Sequence, residues 1–112
     1  MNDKTDLLER VRAAFAEVPG VEEKRMFGSM GFLVRGHLCV GVRPDRIMFR
    51  IDPVAHDKAI QKNGCKTVVM RGREYRGYVQ VDAQALKSQY SLERWIDRAL
   101  SHNRSLPPKK KG

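Results

Sequence analysis

Between Gly31 and Ile51 the chain runs through three consecutive segments of alternating apolar and polar residues, separated by turns of only two or three residues. Phe32 and Val34 share a face in the first. Leu38, Val40 and Val42 do so in the second, and Ile47, Phe49 and Ile51 in the third, with Arg46 and Arg50 on the opposite side. Arg35-Gly36 joins the first two, and Arg43-Pro44-Asp45 precedes the third. Parallel neighbours need crossovers of about a dozen residues or more, so these short connections dictate an antiparallel meander. Lys24-Arg25-Met26-Phe27 supplies a strand ahead of it. Thr67 to Arg71 and Tyr75 to Val81, joined through Gly72-Arg73, supply a further pair.

Three helical segments frame the strands. Leu8, Val11, Phe15 and Val18 recur on one helical face, with Asp3 or Thr5 as cap and Pro19-Gly20 as stop. Asp52-Pro53 opens the second helix and Asn63-Gly64 closes it. Ser91 caps the third, whose Leu92, Trp95, Ile96, Ala99 and Leu100 form a core-facing stripe. The expected fold is α+β in two layers, with an antiparallel sheet of about five strands and the helices on one face. Its element order is α-β-β-β-β-α-β-β-α. The other face stays partly open and carries Arg46, Met48 and Arg50. Residues 1–106 are expected to form the domain and 107–112 a disordered basic tail.

A chain of 112 residues accommodates one core, and an apolar fraction of 41% is too high for a disordered protein. No apolar run approaches the roughly 20 residues of a spanning helix. The N-terminus has no secretory pattern, so no membrane partner and a cytoplasmic location are expected. Cys39 and Cys65 belong to no C-x-x-C pair and read as reduced, buried thiols.

The residues that carry chemistry are sparse. His37 and Cys39 lie two apart on one strand, but zinc takes three or four ligands, and His56, His102 and Cys65 have no supporting spacing. Cys39 with a histidine lacks a third, orienting group. Glu22 and Glu23 are adjacent and point to opposite faces of an extended segment, and Asp82 reads as a helix cap. The glycines of Phe27-Gly28-Ser29-Met30-Gly31-Phe32 run into a strand rather than a helix, which makes a tight hairpin and not a phosphate cradle. A strand–glycine loop–helix unit for a dinucleotide is missing throughout. The expectation is a non-enzyme without catalytic residue, metal or cofactor.

Charge leaves one binding class open. Lys and Arg number 22 against 13 Asp and Glu, a net +9 that falls to +6 without Lys109, Lys110 and Lys111. Arg43, Arg46, Arg50, Arg73 and Arg76 cluster near strands and turns with Tyr75 and Tyr78 among them, a pattern that can grip a nucleic-acid backbone. The same residues also suit a solvated sheet face.

The block Arg25-Met26-Phe27-Gly28-Ser29-Met30-Gly31-Phe32, then Gly36 and the strands to Ile51, resembles the N-terminal domain of the TfoX/Sxy competence regulators. Members commonly show a Met-Phe-Gly-Gly-x-Gly-Phe-like stretch there, from which Ser29 departs, and a terminal Ser-Leu-Pro like Ser105-Leu106-Pro107. The resemblance implies the same α+β fold, in a stand-alone form without the family's second, helical domain. It also implies a regulatory role in competence (DNA-uptake) transcription, and it lends no catalytic residue. Another protein is then the expected partner and nucleic acid the second class, with monomer and homodimer both open. Arg25, Met26 and Phe27, shaped by Gly28 and Gly31, are the candidate contact residues. The alternative is that Phe27 and Phe32 are core and the glycines simply turns. A partner module should carry an apolar patch around Met48 and Tyr78. A nucleic-acid binder should carry a continuous positive stripe, and an enzyme a closed pocket of converging polar groups.

Overall fold

The computed structural model describes residues 3–26 and 28–107. The chain runs α1 (Asp3–Phe15), β1 (Val21–Met26), β2 (Ser29–Val34), β3 (His37–Val42), β4 (Arg46–Arg50), a 3-10 turn (Pro53–Ala55), α2 (His56–Ala59), β5 (Cys65–Met70), β6 (Arg73–Asp82), a second 3-10 turn (Ala83–Leu86) and α3 (Gln89–Ser105). The sheet is antiparallel throughout, in the order β1-β2-β3-β4-β6-β5. This is the expected α+β order, with six strands rather than about five. β1, read as Lys24 to Phe27, begins three residues earlier and pairs along the whole of β2 from Val21↔Val34 to Met26↔Ser29.

The helices cover one face, and a single core forms beneath them. Leu7, Val11 and Phe15 of α1 are buried, with Leu8 only partly so, and Phe15 stacks on Phe32 at 5.3 Å between ring centroids. On α3 the stripe Leu92, Trp95, Ile96, Ala99 and Leu100 is buried as read, and Trp95 stacks on Phe49 at 5.6 Å. Burying rings of this size contributes more than any surface pair in the molecule. Arg10 ties α1 to the second 3-10 turn by donating to the Leu86 carbonyl at 2.8 Å. Asn103 ties α3 to the β2–β3 hairpin: its Nδ2–H donates to the Val34 carbonyl at 3.0 Å, and its own backbone carbonyl accepts from Arg35 at 3.1 Å.

Four local readings change. Opposite β2, Phe32 pairs with Val40 but Leu33 with Leu38, so Cys39 is the extra residue of a bulge. Cys39 and Val40 are therefore both buried in the core, while Leu38 leaves the set it was read with and goes to the open face. A larger irregularity falls on β6, where Thr67 pairs with Val79 but Val68 with Tyr75. The helix opened by Asp52-Pro53 is split: Asp52 accepts from the Val54 N–H at 2.9 Å, but the α-helical part ends at Ala59. The third helix is capped by Ser88, which accepts from the Ser91 N–H at 3.0 Å; Ser91 lies inside the helix and donates to the Ala85 carbonyl.

Candidate functional site

The open face is not flat. Gly31 of β2 and Gly41 of β3 are register partners, so no side chain rises at the middle of that half of the sheet. A Cβ at Gly31 would lie 3.0 Å from the Met26 Sδ and 3.2 Å from the Leu38 Cδ1; one at Gly41 would lie 3.4 Å from the Met48 Cε. Around this floor runs a groove of about 340 Å³. Met26 comes to it from β1, Leu38 from β3, Met48 from β4, and Val68 to Met70 from β5. Arg43, Arg46 and Tyr78 complete its walls. At its β5 end, Val69 and Met70 are 55% and 53% exposed, large apolar side chains that folding leaves in water.

The candidate contact residues divide. Met26 and Gly31 belong to this groove, and Gly28 turns the chain into β2 with φ +80°. Arg25 is exposed on edge strand β1, opposite Met30, which packs against the core on the other face. Phe27 lies outside the described residues.

The five arginines also divide. Arg43 and Arg46 line the groove, where Arg46 binds Asp45 at 2.9 Å. Arg50 sits over the Tyr78 ring, 5.4 Å from its centroid. Arg73 is exposed where the β5–β6 turn enters β6, and Arg76 forms two 3.1 Å bonds to Asp57 of α2. Arg43, Arg46 and Arg50 thus share the open face, Arg73 is the register partner of the groove's Met70, and Arg76 is tied to α2.

On the helix side lies a second concavity, of about 730 Å³, that sequence reasoning missed. Lys58 and Lys62 face Arg94 and Arg98 across it, with Asp52 and Asp97 among its lining residues. Burial, reinforced by Arg50, holds the His102 imidazole below its usual range there. Each basic pair has the four-residue spacing of a helix face and was legible alone; only the fold brings the two pairs together.

The titratable core groups have structural partners. His56 is buried, accepting the Gly77 N–H at Nδ1 (2.9 Å), so Nε2 carries the proton and donates it to Thr67 Oγ1 (2.9 Å). His37 Nε2 stands 2.7 Å from the Pro107 carbonyl and donates to it. Among the described residues no group of three or more His, Cys, Asp or Glu side chains gathers as metal ligands. Burial pushes the Cys39 thiol up to about 12 and the Cys65 thiol up to about 11. Both are free, so neither offers a thiolate at neutral pH. A disulfide-exchange reagent at pH 8 is expected to titrate neither thiol in the native protein and both in denaturant. Unfolded thiols ionise above about pH 8.5 while the buried ones hold their protons, so the native state loses stability as pH rises past that point. Fast native-state labelling would show that one of them is accessible.

The family model of the TfoX N-terminal domain matches residues 13–103, most of the chain. No curated protein and no solved structure matched it.

Proposed function

Because the chain belongs to the TfoX N-terminal domain family, we propose that it is a non-catalytic regulatory module of the competence-regulator kind, holding a partner protein against the open face of its sheet. The observation that carries this is the apolar groove itself. A sheet face left to water normally carries polar side chains; this one gathers three methionines, Leu38 and Val68 around paired glycines. Methionine is unbranched and polarisable, and it recurs on surfaces that repack around a partner.

A nucleic-acid surface is the weaker use of the same residues. Met26, Leu38, Met48, Val68 and Met70 outnumber the cations Arg43 and Arg46 along the groove, and Arg76 is tied to Asp57 of α2. Photo-cross-linking in cells separates the two: a reactive residue at position 48, in the groove, should capture protein, while one at position 54 should not. Val54 follows β4 in the 3-10 turn and is 87% exposed, so it serves as a control for non-specific capture.

A further inference from the structure

Resting on the reading just given, we infer that the occupant of the open-face groove is an amphipathic helix of the partner protein, apolar on the side that enters and acidic on the side that stays in water. Three observations carry this.

The first is the kind of surface. The groove lies over the face of the sheet, where the backbone groups of β2, β3, β4 and β6 are engaged with neighbours on both sides. An extended segment laid there finds few main-chain partners, and its own amides would be stranded over methionine and valine. A helix satisfies its own backbone and needs only side-chain contact, which is what Met26, Leu38, Met48 and Met70 offer.

The second is reach. The lining residues run from β1 at one edge to β5 at the other. Five strand spacings of about 4.8 Å give about 24 Å. A helix rising about 1.5 Å per residue covers that in about 16 residues.

The third is charge. The ionic residues lining the groove are Arg43 and Arg46, with no carboxylate among the lining residues, in a chain of net charge +9. The Asp45 partner of Arg46 is 72% exposed, so that pair is weak enough to exchange for a carboxylate from outside. A second copy of this chain brings arginines to arginines and lacks this complementarity.

The test uses the full chain labelled at its methionine methyl groups and a synthetic peptide of about 16 residues, with Leu and Met on one helical side and Glu on the other. The expected result is a shift of the Met26, Met48 and Met70 signals, with Met30, packed against the core, unmoved. Binding should weaken as salt is raised. It should fall about tenfold or more in Gly41→Val, which fills the floor, and in Met70→Glu, which sets a like charge against the peptide at a side chain already half in water. Gly41→Val could perturb the sheet, and Met70→Glu avoids that risk. Equal binding of the same peptide with Lys in place of Glu overturns the inference, as does an absence of shifts. Broadening of the same signals with protein concentration alone makes the occupant a second copy and overturns it too. If the peptides fail while position 48 still captures a protein in cells, the partner's chemistry is wrong and the module survives; if both fail, the module falls as well.

Discussion

Replacing Trp95 with alanine is expected to cost about 3–5 kcal/mol of unfolding free energy, the range for deleting a large aromatic ring from a packed core. Trp95 is 5% exposed and stacks on Phe49 with ring centroids 5.6 Å apart. The Arg98 guanidinium also lies 4.7 Å from the centre of the indole. The substitution therefore empties the contact that holds α3 against β4, and little nearby can collapse into the space. A domain of this size has about 5–15 kcal/mol in total, so the variant should be partly unfolded at physiological temperature. Trp95 is the only tryptophan of the chain, so urea unfolding followed by circular dichroism is the suitable readout. A loss below about 1 kcal/mol would mean that the helix is held by something other than this stack.

Gly77→Ala should cost about 2–4 kcal/mol although it adds a single methyl group. The residue sits at φ +90° in the middle of β6, where Arg76, Gly77 and Tyr78 are extra relative to β5. Its N–H goes to His56 and its carbonyl accepts from the Ile51 N–H at 2.7 Å. A Cβ there would lie 3.2 Å from the Ile51 carbonyl oxygen and 3.2 Å from the Pro53 ring. Neither neighbour is the free end of a flexible side chain, so the strand must shift and both hydrogen bonds suffer. His56→Ala removes the acceptor from the same arrangement. The two substitutions together should cost clearly less than the sum of their separate effects. Simple additivity would show that His56 and Gly77 do not act as one unit.

These two sites mark what the sequence makes legible and what it hides. The stacking of Trp95 on Phe49 is a long-range contact that only the fold discloses. The stripe from Leu92 to Leu100 repeats at helical spacing, and Ile47, Phe49 and Ile51 alternate, so Trp95 and Phe49 each read as core residues. The hairpin at Arg35-Gly36 was equally plain, and both residues take positive φ there. Irregularity was not. Strict alternation puts Leu38 in the core beside Val40; the bulge at Cys39 sends it to the groove instead. Nothing local to His37-Leu38-Cys39-Val40 announces that, because a bulge is settled by what the neighbouring strands and α3 can bury. His56 likewise reads as an isolated polar residue until β6 bends to present the Gly77 N–H.

The candidate site was half visible for the same reason. Met48 and Tyr78 fall on the open face by alternation alone, and Met26 stands beside the glycines of the block that resembles the family. Val68, Val69 and Met70 reach the groove only because β5 is placed beside β6 at the end of the sheet, a long-range pairing that no short motif encodes. The basic cleft between α2 and α3 was invisible because its halves lie about thirty residues apart.

The most direct measurement is site-specific photo-cross-linking in living cells, with the reactive residue placed in turn at 48, in the groove, and at 54 and 90, on surfaces outside it. Val54 and Tyr90 are 87% and 73% exposed, so simple accessibility favours the controls. A discrete protein adduct from position 48, absent from 54 and 90, is the predicted result. Adducts from the control positions with none from 48, or a nuclease-sensitive adduct at 48, would contradict the assignment of the open face to a protein partner.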